Sequence, residues 1–414
     1  MNEAKQKFCL TSLERAWILY DVGNSAFVLL VATLIPIFFN ALAEGGGLSS
    51  VEYLAYWGYA ASAVTVITAV LSPILGTLAD TRNYKKPIFT FCVAVGVIGC
   101  CAMGMASTWL PFLLIFIFAK VGFSGSLVFY DSMLSDVTVP DRMDEVSSKG
   151  YAWGYIGSCV PFVVCLALVL GAGSIGISQM TALNLALLIT AAWWLVTTLP
   201  LLRQYKQVHF VEVQEHAIRQ SFARIGHTLR HLKEDRQVFW FLLAFFCYID
   251  GVYTIIDMAT AYGTALGLDT TGLLLALLVT QIVAFPSALV FGRLSGQYPS
   301  GTLIPVCIAA YAGIALFAFF LKHQWQFWVL AVVVGMFQGG IQALSRSHFA
   351  KIIPPEKSGE YFGLFDICGK GASFLGTMIV SVGSQLTGSA NVGVGSLIVL
   401  FIVGFVLFRV SDQK

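Results

Sequence analysis

The segment from Gln338 to Gly376, QGGIQALSRSHFAKIIPPEKSGEYFGLFDICGKGASFLG, indicates the structural class of this chain. It leaves one apolar run at Arg346, turns at Pro354, and enters a second apolar run in which Asp366 and Lys370 lie one helical turn apart. Charged side chains inside membrane spans are costly and usually face the interior of a helix bundle or an aqueous path. The segment therefore predicts a membrane hairpin that does more than anchor the protein.

The composition of the whole chain agrees with this prediction. Its 414 residues are 57% hydrophobic and 11% charged, whereas about a quarter of the residues of a soluble protein are charged. Because roughly 20 apolar residues cross a bilayer, the apolar runs predict an all-α membrane protein. They give twelve transmembrane helices, over residues 17–41, 52–78, 86–107, 109–131, 150–171, 179–202, 237–261, 270–292, 301–321, 325–349, 360–386 and 391–409.

The positive charges lie almost entirely on one face of this predicted bundle. Of the 24 lysines and arginines, Lys120 and Lys370 fall within spans and Lys322 falls in a loop of the opposite face, which leaves 21 on one face together with both termini. We call it the basic face. By the positive-inside rule it is cytoplasmic, which predicts a multi-pass protein of the cytoplasmic (inner) membrane with both termini in the cytoplasm. The first apolar run is too long for a cleavable signal.

Two sequence echoes predict that the chain consists of two related halves. The segment GTLADTRNYKK begins at Gly76, and a weaker copy, GRLSGQYPSG, begins 216 residues later at Gly292. Tyr151 and Tyr361, each after a proline, are 210 residues apart. Offsets near half the chain length are typical of two six-helix halves that enclose a site at the membrane midplane. We predict an N-terminal half over 1–202, a cytoplasmic linker over 203–236, and a C-terminal half over 237–414.

The linker itself carries an amphipathic pattern. Phe222, Ile225, Leu229 and Leu232 recur at steps of three and four residues, which predicts a helix with one apolar face. We expect it on the inner leaflet or across the cytoplasmic mouth of the bundle.

Two aspartates in the seventh predicted span are candidates for proton coupling. Asp250 lies near mid-membrane and Asp257 two turns further out. Burial away from water favours the neutral form of a carboxyl group, which suits such a group to binding and releasing protons. The alternative is a permanent salt bridge from Asp250 to Lys120 across the two halves.

Polar side chains at similar depth are candidates for substrate binding. A lysine at bilayer depth costs about 2.5–3.5 kcal/mol even on the insertion scale, so Lys120 in the fourth span is expected to meet a carboxylate or an anionic substrate group. A fixed structural ion pair is the alternative. The predicted substrate-binding residues are Lys120, Gln281, Gln338 and Gln342.

A third group of polar residues lies near the cytoplasmic ends of the spans. Asp21 and Asn24 share a helix face in the first span because they are three residues apart, although Asp21 at a polar helix start could instead cap a neighbouring loop. We predict ion pairs that hold a cytoplasmic gate and break when it opens, formed by Asp21, Asn24, Asp131, Arg346, Asp366 and Lys370.

The loop between the second and third spans resembles the loop signature of the major facilitator superfamily, Gly-x-x-x-Asp-Arg-x-Gly-Arg-Arg. Here the first arginine is displaced to Arg82 and the internal glycine is missing. An ordinary positive-inside loop is the alternative. The matching residues, predicted to act as a conformational loop motif, are Gly76, Asp80, Arg82, Lys85 and Lys86.

Further stretches resemble one family within that superfamily, typified by the autophagy-related vacuolar amino-acid effluxer. They are YDVGNSAF from Tyr20, VSSKGYAWGYIG from Val146, GGIQALSRS with YFGLFDICGKGASFLG from Gly339 onward, and Asp250-Gly251. The chain has Val-Gly where the family has Trp-Ala after the Tyr-Asp pair. The resemblance implies the major facilitator fold and a secondary transporter.

These observations together predict a function. We expect a monomeric secondary active transporter that works by alternating access, with proton-coupled export of amino acids or similar small metabolites. Its partners are a small-molecule substrate, a proton or other coupling ion, and membrane lipid, with no nucleic acid, metal or cofactor. The alternatives are a lipid or amphiphile translocator of the same fold and a non-transporting scaffold or receptor. Catalytic and nucleotide-binding motifs such as H-E-x-x-H, G-x-S-x-G and the P-loop do not occur, which argues against an enzyme and against ATP drive.

Overall fold

The structure is a computed structural model that describes residues 9–212, 230, 232 and 234–412. Within its helices, the side chains of residues 50, 51, 53, 54, 260, 261, 264, 265, 270, 271, 274 and 370–374 lie outside the description. The amphipathic pattern predicted for the linker falls mostly on residues 213–229, outside the described residues. The side chain of Lys370 is outside them as well.

The N-terminal half contains eight described helices that form six spans. They are α1 (Ser12–Ala32), α2 (Leu34–Gly45), α3 (Ser50–Ala79), α4 (Lys85–Met103), α5 (Trp109–Ser132), α6 (Leu134–Val137), α7 (Pro140–Leu170) and α8 (Gln179–Gln204). The first span is α1 followed by α2, separated at Thr33. The four-residue α6 connects two spans on the basic face.

The C-terminal half repeats this organisation. Its helices are α9 (Arg236–Ala265), α10 (Thr270–Leu294), α11 (Ser300–Phe319), α12 (Gln324–Ile352), α13 (Ser358–Thr387), α14 (Ala390–Gly395) and α15 (Ile398–Ser411). The last span combines α14 and α15. Eleven spans among the described residues are long and apolar enough to cross a membrane, and α13, with 30 residues, is the twelfth long helix. The predicted all-α class and twelve-helix layout are confirmed.

Backbone hydrogen bonding explains why the spans are helical. A bilayer offers no water to pair with exposed N–H and C=O groups, so a helix satisfies them within one segment. Side chains complete the pairing at several helix starts: for example, Thr11 and Glu14 form a capping box on α1, and Ser49 and Glu52 form another on α3. Such boxes satisfy N–H groups that the first helical turn leaves unpaired.

One predicted boundary differs clearly from the structure. The fifth span is predicted over 150–171, but α7 is a single helix that begins at Pro140. Proline fits the first helical position because it lacks the N–H that this position leaves unpaired. The polar residues that follow it are therefore the first turns of a long helix.

The two halves meet along two seams. Helix α3 packs along α13, and α7 packs against α10 and α12. Glycines permit the closest approaches: an added methyl at Gly76 would lie against the backbone of Gly359, and one at Gly292 would lie 2.8 Å from Cβ of Ser148. Small residues of this kind let helix backbones approach closely in membranes.

Candidate functional site

Arg346 of α12 joins the two halves near the basic face. Its side chain is 2% exposed, and its Nη1 atom lies 3.0 Å from Oδ1 of Asp131 and 3.6 Å from Oδ2 of Asp21. Its Nε donates to the hydroxyl of Ser147 at 2.9 Å and its Nη2 to the carbonyl of Ser147 at 3.0 Å. All these partners belong to the N-terminal half. We call Asp21, Asp131 and Arg346 the gate cluster.

Aromatic rings surround the same guanidinium group. The Arg346 Cζ atom lies 4.6 Å from the ring centroid of Trp17, 5.3 Å from that of Tyr130 and 4.3 Å from that of Tyr151. Cation–π contacts of this kind contribute up to about 2 kcal/mol when they are shielded from water. The rings therefore add to the ion pairs in holding Arg346 against the N-terminal half.

A second polar contact between the halves, which the sequence did not predict, is formed by Asp144 of α7. It accepts hydrogen bonds from the Ser347 hydroxyl and from Lys351 Nζ, each at 2.6 Å, and both donors belong to α12. The mixture of charge signs around Asp144 is typical of a surface segment and gives no signal that this carboxylate is buried against the other half.

Asp80 forms a third polar contact between the halves, between α3 and the start of α13. Its carboxylate accepts the backbone N–H of Gly359 at 2.7 Å and that of Glu360 at 2.8 Å. A helix N-terminus attracts negative charge because its N–H groups are unpaired and its dipole is positive there. Lys85 lies 3.6 Å from Asp80 and donates to the Ser358 hydroxyl at 2.8 Å.

The predicted loop motif thus divides into two groups. Gly76, Asp80 and Lys85 contact the other half, as described above. Arg82 lies 3.5 Å from Glu212 on the exposed surface, and Lys86 donates to the Tyr205 carbonyl at 3.4 Å, so these two contact the segment that enters the linker.

We expect Asp80 to make stability depend on pH. Burial raises the pKa of Asp80 to about 6 from its ordinary 3.8, against the opposing effects of Lys85 and the N–H groups of Glu360 and Gly359. A raised pKa stabilises the folded state below pH 3.8, and this contribution is lost as pH rises through 6. The difference between the two pKa values corresponds to roughly 3 kcal/mol in the free energy of unfolding.

The measurement compares melting temperatures of the wild type and Asp80→Asn in detergent from pH 4 to 8. The melting temperature of the wild type relative to the variant is expected to fall between pH 4 and 7 and to stay level above that. A difference that does not vary with pH would contradict the raised pKa.

The remaining predicted gate residues are placed differently. Asp366 of α13 accepts a hydrogen bond from the Ser72 hydroxyl of α3 at 2.8 Å, and so also joins the halves. Asn24 stays within the N-terminal half, where its Nδ2 donates to the Tyr20 carbonyl at 3.0 Å and lies 3.4 Å from Oδ1 of Asp21. It therefore supports Asp21 rather than bridging the halves.

Further from the basic face, Lys120 and Asp257 carry opposite charges on opposite halves. Lys120 of α5 is half-buried, with Nζ 4.7 Å from the ring centroid of Phe123. Asp257 of α9 is solvent-accessible, and the charge of Lys120 acts on it. The two side chains, one from each half, are thus near enough for their charges to interact.

Asp250 has a different environment from Asp257. It is fully buried, and its Oδ1 accepts the Gly376 N–H at 2.9 Å and the Thr254 hydroxyl at 3.3 Å. Its Oδ2 has no hydrogen-bond partner among the described residues. The carboxylate on which Lys120 acts is Asp257, so the structure gives no support to the alternative of a permanent Lys120–Asp250 salt bridge.

Two of the three predicted glutamines line a cavity of the C-terminal half. Gln281 and Gln338 line a pocket whose other walls are mostly apolar, including Ile255 and Leu397. Gln342 accepts a hydrogen bond from the Tyr155 hydroxyl of the other half at 3.2 Å. Gln342 therefore belongs to the contact between the halves.

The sequence matches a known protein family, described as "Vacuole effluxer Atg22 like", over residues 12–141 and 135–414. The chain belongs to the Atg22-like family. This confirms the resemblance found in the sequence.

One relative of this Atg22-like chain is a transporter by name, and others are autophagy-related proteins. It is 42% identical over 409 residues to "Uncharacterized MFS-type transporter YxiO" of Bacillus subtilis (strain 168), covering 98% of this chain and 96% of that relative. It is 25% identical over 315 residues to autophagy-related protein 22 of Saccharomyces cerevisiae (strain ATCC 204508 / S288c), covering 66% of this chain and 59% of that relative.

Solved structures show the same fold. The human organic anion transporter MFSD10 (TETRAN) superimposes with a TM-score of 0.72 at 14% identity, over 96% of this chain and 98% of that one. FucP in its outward conformation also gives 0.72, at 17% identity, over 97% and 98%. Together with the 42% identical MFS-type relative, this fold identifies the Atg22-like chain as a multi-pass integral membrane transporter of the major facilitator superfamily, and not an enzyme.

Proposed function

We propose that this transporter works by alternating access and that the structure is its outward-open state. The proposal is based on the ion pairs and hydrogen bonds between the halves, which close the basic face. They are centred on Arg346, Asp144 and Asp80. Asp257, further along the helices, remains solvent-accessible. We take the basic face as cytoplasmic and the membrane as the cytoplasmic (inner) membrane, in agreement with the positive-inside rule.

The cavity is suited to amino acids. A zwitterion carries a carboxylate that pairs with Lys120 and an ammonium group that pairs with Asp257. The apolar pocket beside them, with walls that include Ile255 and Leu397, accommodates the side chain. Ligand sites commonly combine such apolar walls with a few polar groups that fix orientation.

The pair of Lys120 and Asp257 also accounts for proton coupling. The ammonium group of the substrate and a proton compete for the carboxylate of Asp257, so protonation from outside releases the substrate outward. Asp250, buried two turns closer to the basic face, is the second carboxylate in this proposal. Competition of this kind makes export of substrate depend on inward movement of protons.

The test is flux from proteoliposomes preloaded with a radiolabelled amino-acid panel, with an imposed pH gradient. An exterior one pH unit more acidic adds about 1.4 kcal/mol of driving force per proton, which corresponds to an about tenfold larger substrate gradient at one proton per substrate. Asp250→Asn is expected to lose the acceleration by the gradient while retaining substrate exchange. Asp257→Asn is expected to lose the acceleration and also to raise the KM for exchange, because Asp257 pairs with the ammonium group of the substrate. Glu44→Gln, a carboxyl removal at an exposed position, serves as the matched control.

Two results would count against the proposal. If no amino acid moves in the wild type, the substrate class is wrong. If Asp250→Asn loses exchange and the gradient response together, Asp250 has a structural role and does not couple protons.

A lipid or amphiphile translocator is the second candidate. An apolar groove between α3, α4 and α5, lined by residues such as Thr68, Phe91 and Val95, favours it. Phe91 is 68% exposed and so faces the lipid. A labelled-lipid flip assay on the same proteoliposomes separates this candidate from amino-acid export.

A further inference from the structure

The segment that follows the last helix of the N-terminal half is bound to the basic face. We call residues 205–212 the strap. Near its end, Val211 pairs with the loop between α3 and α4 in a parallel β-bridge. The Val211 N–H donates to the Asp80 carbonyl at 2.8 Å, and the Arg82 N–H donates to the Val211 carbonyl at 3.1 Å. The strap therefore holds the backbone on both sides of this loop's first turn.

A buried carboxylate of α6 binds the beginning of the strap. Oδ2 of Asp136 accepts the Tyr205 hydroxyl at 2.5 Å. Its Oδ1 accepts the N–H groups of Val208 at 3.2 Å and of His209 at 2.8 Å, and lies 3.0 Å from Nδ1 of the His209 ring. Hydrogen bonds to an ionised acceptor are stronger than those between neutral groups. Asp136 is thus the main attachment point of the strap.

Lys85 connects the strap to the contact between the two halves. Its side chain is fully buried, and its Nζ atom lies 3.8 Å from Oδ2 of Asp136 and 3.6 Å from Oδ1 of Asp80. The same Nζ donates to the Ser358 hydroxyl of α13 at 2.8 Å. Asp80 in turn accepts the N–H groups at the start of α13. One ammonium group therefore neutralises the carboxylate that binds the strap and the carboxylate that binds α13.

We propose that the bound strap holds the basic face closed and that it leaves Asp136 when the face opens. This rests on the alternating-access mechanism proposed above. When α13 moves away, Asp80 loses two N–H donors and Lys85 loses its hydroxyl partner, so the ammonium group moves toward Asp80. Asp136 then remains charged and buried without Lys85, which is costly. Release of the strap lets water reach Asp136 and removes this cost.

The first experiment weakens the strap without changing the residues that bind α13. Gln207→Ala/His209→Ala removes the hydrogen bond from Gln207 to the Ala79 carbonyl at 3.0 Å and the contact of the His209 ring with Asp136. The readout is labelling of a cysteine placed at Ser148, which is buried where α7 meets α10. A membrane-impermeant maleimide is applied from the basic face, in a background without native cysteines. Labelling is expected to be about tenfold faster than with the wild-type strap, the usual effect of losing a hydrogen bond to a charged group.

Lys206→Ala/Val208→Ala is the matched control. It shortens two side chains of the same segment that are exposed, and it keeps the Val208 N–H that Asp136 accepts. The labelling rate at position 148 is expected to match the wild type.

The second experiment fixes the strap in place. Thr81 and Val211 face each other in the β-bridge, and neighbouring strands lie about 5 Å apart, which a disulfide can span. In Thr81→Cys/Val211→Cys, oxidation is expected to slow the labelling of position 148 about tenfold relative to the reduced protein. Mass spectrometry of the peptide that contains position 148 separates its labelling from that of the other two cysteines.

Three results would overturn the inference. They are wild-type labelling in Gln207→Ala/His209→Ala, equal acceleration in the control variant, and equal labelling of the oxidised and reduced disulfide variant. Each of them leaves alternating access standing, because labelling of the wild type reports the opening itself and needs no substrate. A wild type that is never labelled at position 148 refutes alternating access, and the role of the strap with it.

Discussion

Arg346→Gln is expected to open the basic face and to reduce transport about 100-fold. The side chain is buried against Asp21 and Asp131, and removing one partner of a buried ion pair costs about 3–5 kcal/mol because the other charges stay buried and unpaired. These contacts join the two halves, so the protein can relieve the cost by separating the halves at the basic face. A shift of that size corresponds to a change of roughly 100-fold or more in the equilibrium between closed and open states.

The direct measurement is labelling of a cysteine placed at Ser148, a buried position where α7 meets Gly292 of α10. In a background without native cysteines, a membrane-impermeant maleimide applied from the basic face is expected to label the wild type slowly. Arg346→Gln is expected to be labelled about 100-fold faster, and Arg346→Lys to lie between them, because lysine keeps the charge but not the planar fork.

Arg82→Gln is the control for that experiment. Arg82 carries the same charge on the same face, but its side chain is 53% exposed and its pair with Glu212 lies within one surface region. Exposed pairs contribute at most about 1 kcal/mol, so its labelling rate is expected to match the wild type. Unchanged labelling in Arg346→Gln would show that Arg346 does not hold the gate.

Gly76→Ala is expected to prevent tight closure of the seam between α3 and α13. A methyl group at Gly76 would lie against the carbonyl oxygen of Gly359 and 2.8 Å from its carbonyl carbon. Both are backbone atoms, so the helices must separate, and overpacking of this kind costs about 1–3 kcal/mol. This separation of α3 from α13 stretches the hydrogen bonds that the backbone N–H groups of Gly359 and Glu360 donate to Asp80. Transport is expected to fall about tenfold or more.

The matched control lies in the same helix. Gly58→Ala adds the same methyl to α3 where nothing lies within 4 Å of it, and alanine is the better helix former by about 0.5–1 kcal/mol. Flux and the labelling rate at position 148 are expected to stay at wild-type values in Gly58→Ala and to change in Gly76→Ala. Equal behaviour of the two variants would show that close packing at Gly76 is not required.

Some of the site could be predicted because charge in a membrane span is informative on its own. Asp21, Asp131 and Arg346 were identified as gate candidates from their cost at the ends of apolar runs, and the structure brings them together. Asp144 was missed because its charged surroundings are typical of a surface segment.

The sequence by itself determined the membrane class, the twelve spans, the basic face and the family, since each depends on composition, on the length of apolar runs or on local motifs. The tertiary structure decided which charged groups interact. The charge of Lys120 acts on Asp257 rather than on Asp250, and Asp144 accepts a hydrogen bond from Lys351 of α12. The physical reason is that spacing along one helix fixes a side chain's face. Its partner depends on the rotation and depth of a second helix, which close contacts such as Gly76 against Gly359 set.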